Sequence, residues 1–238
     1  MGMSSTSDGE TGFSLDVLNP VCDLFAQDCN AGDKCMPYDD EAAGTWTTTG
    51  CFEIDPSPAQ PGDVCDAPGG GTAGTDTCDI GSMCWEVDDV TEEGVCVAMC
   101  NGPAVNPPCD DPATSCVIAN DGLIVLCLPT CDPILQDCAG DQGCYPVSGG
   151  FNCLPHDADN SDEEGDTCEF LNGCAPGLVC IAADAYGAAC AGGACCSPAC
   201  DTDLAPNCPE VIQECVSWFE EGAAPPGLED VGVCAVPV

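Results

Sequence analysis

A small, disulfide-rich, all-β fold follows from three observations on this sequence. Its 238 residues include 26 cysteines. The cysteines fall into groups of four, with one spacing inside each group nearly constant. After the third cysteine of each group, an apolar-rich run enters Asp, Glu, Asn or Gly and returns as a second short run to the fourth. An even, dense cysteine count marks a disulfide scaffold in an oxidising compartment. The run–turn–run pattern marks a β-hairpin. Helix signals are poor: no sustained 3.6-residue period appears, and there are 28 Gly and 21 Pro.

Residues 1–19 open the chain as a polar, low-bulk tether. The segment 1–12, MGMSSTSDGETG, has neither a basic start nor an apolar run, so it is not a signal peptide. The cysteine content then implies that a leader has been removed. A Ser/Thr/Gly/Asp tail of this kind often follows the lipid-anchored cysteine of a surface lipoprotein, although that cysteine is absent here. No stretch reaches the ~20 apolar residues of a transmembrane segment.

Unit one is Cys22, Cys29, Cys35 and Cys51; unit two is Cys65, Cys78, Cys84 and Cys96; unit three is Cys100, Cys109, Cys116 and Cys127. Unit four is Cys131, Cys138, Cys144 and Cys153; unit five is Cys168, Cys174, Cys180 and Cys196, with Cys190 and Cys195 inserted; unit six is Cys200, Cys208, Cys215 and Cys234. Five residues separate the second and third cysteine in units one, two, four and five, and six in units three and six. Three residues link most consecutive units, but thirteen (52–64) link unit one to two and fourteen (154–167) link unit four to five. The sequence thus reads as one triplet of units, Pro20–Leu128, repeated as Pro129–Val238. Units one and four share C-D-x-x-x-Q-D-C-x-x-x-x-x-C-x-P, and Gly62–Cys65 and Gly165–Cys168 mark one point in both halves. The two long links read as hinges around a stiff block of units two to four.

Within a unit, three disulfide connectivities are open. First-to-third and second-to-fourth is favoured, because crossed bridges pin both hairpin strands to the loop ahead of them. That predicts Cys22–Cys35 and Cys29–Cys51, Cys65–Cys84 and Cys78–Cys96, Cys100–Cys116 and Cys109–Cys127. It continues as Cys131–Cys144 and Cys138–Cys153, Cys168–Cys180 and Cys174–Cys196, Cys200–Cys215 and Cys208–Cys234. Cys190 pairs with Cys195, although the adjacent Cys195 and Cys196 can exchange roles. Each bridge closing a ~15-residue loop contributes about 3 kcal/mol. Structural zinc is disfavoured, since its ligand pairs usually stand two to four residues apart and no C-x-x-C occurs.

The hairpin residues Met36, Tyr38, Trp85, Ile118, Leu126, Tyr145, Ile181, Trp218 and Phe219 are expected to pack within and between units. Asn120-Asp121-Gly122 is the clearest turn signal, and Pro209–Glu214 the one candidate short helix.

Forty-two acidic residues stand against Lys34 alone, with no Arg and only His156, for a net charge of −41. Nucleic-acid binding is excluded, because phosphate neutralisation needs Lys and Arg. Cations remain as partners. The best metal candidate is the run DADNSDEEGD, with Asp157, Asp159, Asp162 and Glu163 as candidate calcium ligands. The run fails as an EF-hand loop: Asp162 falls where Gly is required and Cys168 where a bidentate Glu should be. No other cofactor is indicated.

The segments CDLFAQDC and CDPILQDC, SMCW, IANDG and FEEGAAPPG resemble those of a group of cysteine-rich extracellular proteins or lipoproteins of myxobacterial type. The resemblance spans Pro20 to the end and implies a secreted or cell-surface protein. Some of that group carry a ribulose-phosphate epimerase label. That enzyme is a metal-dependent TIM barrel, and neither its βα periodicity nor a His-rich metal site occurs here.

The leading expectation is a non-enzymatic structural, adhesive or binding protein, with a protein or glycan partner or self-assembly, and with calcium as a candidate cofactor. An extracellular hydrolase using paired carboxylates is the alternative, followed by an inhibitor- or toxin-like module whose exposed rigid loop is Asp184–Gly193. The surface shared by units one and four, Gln27-Asp28 and Gln136-Asp137, is the first place to look for a specific function.

Overall fold

The computed structural model describes residues 21–147, 149–156, 163–187, 189–204 and 208–237. Its strands are β1 (Asp33–Tyr38), β2 (Thr48–Glu53), β3 (Val64–Asp66), β4 (Ser82–Trp85), β5 (Glu93–Ala98), β6 (Thr114–Ala119) and β7 (Ile124–Pro129). They continue as β8 (Gln142–Val147), β9 (Gly150–Pro155), β10 (Leu178–Ala182), β11 (Ala194–Asp201), β12 (Glu214–Ser217) and β13 (Val231–Ala235). The helical pieces among the described residues are a one-turn helix, α1 (Ala183–Tyr186), and a 3-10 turn at Asn120–Gly122. The predicted all-β, disulfide-rich class is what the chain adopts.

All pairing within sheets is antiparallel. β1–β2, β6–β7 and β8–β9 are two-stranded, β3–β5–β4 is three-stranded, and β10–β11–β13–β12 forms one four-stranded sheet. Each of the six hairpins is built on its third and fourth cysteines. Cys35 faces Cys51, Cys84 faces Cys96, Cys116 faces Cys127, Cys144 faces Cys153, Cys180 faces Cys196 and Cys215 faces Cys234. None of these facing pairs is bonded. Each cysteine reaches instead to the loop before the hairpin, third to first and second to fourth, as in Cys22–Cys35 with Cys29–Cys51. The same crossing joins Cys65–Cys84 with Cys78–Cys96, Cys100–Cys116 with Cys109–Cys127, and Cys131–Cys144 with Cys138–Cys153. It recurs in Cys168–Cys180 with Cys174–Cys196, and in Cys200–Cys215 with Cys208–Cys234. Cys190–Cys195 adds a small loop in unit five, and no cysteine is free.

Turn chemistry follows residue type. Asn120 and Asp121 sit at φ 49 and 53 and Gly122 at φ 92, the left-handed region these residues tolerate best. Pro209–Glu214 forms no helix: it is a bend and turn leading into β12. Val211 and Ile212 are β-branched and lose side-chain freedom in a helix, and Cys208 and Cys215 bond at both flanks.

Successive units are joined by backbone. Met99 bridges Leu126 between units two and three, and Thr130 bridges Asn152 between units three and four. β11 runs on from unit five into unit six, where its end, Ala199–Asp201, pairs with β13. Alternate units meet as well. Asn120 Nδ2 of unit three donates to the Trp46 carbonyl of unit one at 2.8 Å. Gln142 Nε2 of unit four donates to Glu86 of unit two at 2.7 Å. Phe151 of unit four lies 5.5 Å from Trp218 and 6.2 Å from Phe219 of unit six, centroid to centroid. The units therefore pack on their next-but-one neighbours too, which a simple linear string would not do.

Burial follows from this stacking. One apolar cluster gathers Leu24, Met36, Met83, Met99, Val117 and Leu126, with Val147 and Leu154 leaning on it. A second gathers Phe151, Val179, Ile181, Tyr186, Val231 and Val233. Ile118 is the exception among the expected packing residues, being 42% exposed beside the β6–β7 turn.

Removing a bridge should cost stability that grows with the logarithm of the loop it closes. Cys78→Ser with Cys96→Ser opens a loop of sequence separation 18 and should cost about 3 kcal/mol. Cys190→Ser with Cys195→Ser opens one of separation 5 and should cost about 2 kcal/mol. Denaturant unfolding of the oxidised proteins measures both.

Candidate functional site

Asp157, Asp159 and Asp162 lie outside the described residues. Glu163 begins the next described segment, and its side chain is exposed. Its backbone N–H donates to the Asp166 carboxylate at 3.1 Å, and the Asp166 N–H returns to the Glu163 carbonyl at 3.0 Å. The first long link ends in the same turn, with Gln60 N–H on Asp63 at 3.1 Å and Asp63 N–H on the Gln60 carbonyl at 2.9 Å. In both, the glycine ahead of the Asp donates across to the last hairpin cysteine, Gly62 to Cys96 and Gly165 to Cys196. The repeated Gly-Asp is thus a turn that docks each link on the next hairpin.

The motif shared by units one and four proves to be framework. Asp23 accepts the Phe25 and Ala26 N–H groups, and Asp132 accepts those of Ile134 and Leu135. Asp28 and Asp137 each accept the N–H of the opening Asp, at 2.9 and 3.0 Å. Gln27 and Gln136 donate to the carbonyls of Leu24 and Pro133 and accept the N–H of Cys35 and Cys144. Each side chain satisfies turn amides that would otherwise be left open. These side chains carry a folding role in both units.

Hairpin-tip acids act similarly. Backbone N–H groups of Ala43, Gly44 and Glu41 hold the Asp39 carboxyl below its ordinary range, and those of Thr91 and Val90 do so for Asp88.

The chain's single lysine is buried. Lys34, 1% exposed, sits on β1 and reaches into unit two, where its ammonium pairs with Asp76. It also donates to the carbonyls of Cys78 at 2.8 Å and Ser82 at 3.2 Å, using all three of its protons. Asp76 accepts in addition the N–H groups of Cys78 and Cys84, each at 2.8 Å. Burial pulls the Lys34 ammonium below its ordinary pKa, and Asp76 works against that pull. Around this pair, Asp39 N–H bonds the Thr72 carbonyl and Trp46 bonds that of Gly71. Gly74, at φ +79, lets the chain pass the Tyr38–Phe52 edge-to-face pair, where a Cβ would come within 2.5 Å of the Phe52 ring. The Phe52–Val64 link is therefore spanned by a dense interface, and the hinge expected there is closed.

Units four and five are locked by a different donor onto the equivalent acceptor. Tyr145, fully buried, donates its hydroxyl to the Cys174 carbonyl at 2.8 Å, just as Lys34 donates to that of Cys78. Gly143 occupies the position corresponding to Lys34, and a Cβ there would sit 2.6 Å from the Tyr145 ring. His156 Nδ1 lies 3.1 Å from the Tyr145 oxygen. With the phenol proton committed to Cys174, the imidazole N–H donates. Asn172 adds a bond to the Pro155 carbonyl at 3.0 Å. The second expected hinge is thus also bridged, and the histidine is tied to a phenol rather than to a nucleophile.

The Asp184–Gly193 loop is less free than a toxin-like loop would be. Tyr186 is buried, and its carbonyl accepts from Gln213 at 2.8 Å, while Ala185 accepts the Val236 N–H. Trp85 stacks on Trp46 at 5.9 Å, and Trp218 packs on Phe151, so both serve interfaces. Clusters of three cysteine sulfurs within 4.8 Å recur through the units, but they are the crossing disulfides and offer no thiolate.

Open grooves mark the surface of the described residues. One, about 640 Å³, runs where units one, two and three meet, over an apolar floor including Val97, Ala98 and Met99. Another, about 550 Å³, lies between Phe151, Asp132 and the Pro225–Leu228 turn. Comparison with protein-family models, curated proteins and solved structures finds no match. Among the described residues, no helix is long and apolar enough to cross a membrane.

The two locks should respond differently to mutation. Lys34→Met strands a buried carboxylate and should cost about 3–5 kcal/mol. Tyr145→Phe strands a carbonyl and should cost about 1–3 kcal/mol. Burial pushes the Tyr145 phenol up from 10.0 to about 12. The folded state thus holds that proton more tightly. Its stabilising share is complete below the unfolded value of 10.0 and is lost as pH rises through about 12. Burial also raises the Tyr186 phenol, so ultraviolet titration should show more than one late phenol, and Tyr145→Phe should remove one of them.

Proposed function

We propose that the chain is a non-enzymatic, secreted or cell-surface protein that works by presenting rigid, disulfide-stapled surfaces to a protein or glycan partner. The observation that carries this reading is the commitment of all cysteines to disulfides, with none free. Such a covalent set forms and persists in an oxidising compartment. The interfaces support it: Gln27, Gln136, Lys34 and Tyr145 are spent on turns and locks, and the outward face carries acids and open grooves. The resemblance to cysteine-rich surface proteins points the same way. Calcium belongs to this reading through the acidic run 157–166, whose clustered carboxylates suit a hard cation.

Two measurements test it. In cells that make the protein, surface fractionation with thiol labelling should find it outside the cytoplasm and without reactive thiols. A cytoplasmic pool with free thiols would sink the proposal. Calcium at 100 times its dissociation constant should add about 2.7 kcal/mol to stability. A melting curve that moves no further with calcium than with sodium at equal ionic strength removes calcium from the account.

A further inference from the structure

The groove at the junction of the first three units combines two features. Its lining is apolar, from Phe25, Pro61, Ile80, Val97, Ala98 and Met99, and Ile80 is 49% exposed. Its rim is acidic, from Asp79, Asp110 and Asp111. Each rim carboxylate is tethered by a neighbour. Gln60 Nε2 and the Ile80 N–H hold Asp79 at 3.0 and 2.8 Å, Asn101 Nδ2 holds Asp110 at 3.1 Å, and the Ala113 N–H holds Asp111 at 2.9 Å. Charge held in place in advance costs less to engage on binding. The volume, about 640 Å³, falls within the range of ligand-binding clefts.

Complementarity decides the occupant. A ligand for this groove needs apolar side chains for the floor and cations for the rim. A second copy of the chain offers no exposed Lys or Arg, because it has no Arg and its one lysine is buried, and its net charge of −41 opposes approach to an acidic rim. We propose that this groove docks a cationic amphipathic peptide segment of a partner protein, with apolar anchors inward and Lys or Arg on the three aspartates. This rests on the binding role proposed above and specifies the chemistry of the partner.

The test uses the full oxidised chain and a fluorescent amphipathic helix of Leu and Lys. A scrambled peptide of the same composition controls for general attraction to an acidic surface. The patterned peptide should bind at least about tenfold more tightly, the scale of one well-placed anchor. Asp110→Lys with Asp111→Lys should weaken it by about tenfold or more, as should Ile80→Asp. Glu220→Lys with Glu221→Lys, the same charge change on unit six, should alter it less than about twofold. Equal binding of both peptides, or equal loss from both charge reversals, would overturn the groove as the site. So would a dimer in light scattering that the Asp110/Asp111 variant dissolves. Because the readout is peptide affinity and not location or thiol state, the groove can fail while the surface-protein reading stands.

Discussion

Two cysteines face each other across every hairpin and never bond to each other. The whole architecture depends on that refusal. A bridge between facing residues would only fasten two strands already hydrogen-bonded together. By reaching back to the preceding loop, each pair ties strand, strand and loop into one closed body. A unit of ~25 residues has too little apolar surface to fold alone. Once its loop is bound to its hairpin, both flanks become surfaces a neighbour can pack on. The two larger apolar clusters are made from such flanks and contain residues from several units.

The locks between units show how loosely chemistry is tied to position. In the first half an ammonium reaches the carbonyl of the second cysteine of the next unit, and in the second half a phenol does. The lysine requires a buried carboxylate, and that carboxylate organises two backbone amides. The tyrosine requires a glycine two residues earlier, so that its ring can fold over the strand. One geometrical demand is met once with charge and once without it. The neutral solution avoids desolvating an ion pair. The charged one makes the first interface dependent on both partners being present.

Much of this was legible in the sequence, for physical reasons. Cysteine spacing reports hairpin and loop lengths directly, and Asn-Asp-Gly reports its turn through backbone sterics alone. The grammar failed where contacts run between units. Phe52–Val64 reads as a linker because local composition says nothing about Lys34 crossing to Asp76. The one usable hint was the lysine itself, a lone cation among 42 acids, set beside a buried cysteine in a strand. The Gln-Asp motif drew attention as a surface because two units share it. Its repetition reflects a repeated turn to be satisfied. The groove left no linear trace, since its lining comes from three units.

Burial of Lys34 has a further consequence, for chemistry done to the protein. Reagents and enzymes that modify lysine find no exposed side-chain amine on the folded chain. Acetyl, glycating or cross-linking groups can reach Lys34 only when unit one lifts from unit two. A covalent mark on that residue is therefore a record of an opening event. The same residue that closes the first interface also serves as its tell-tale.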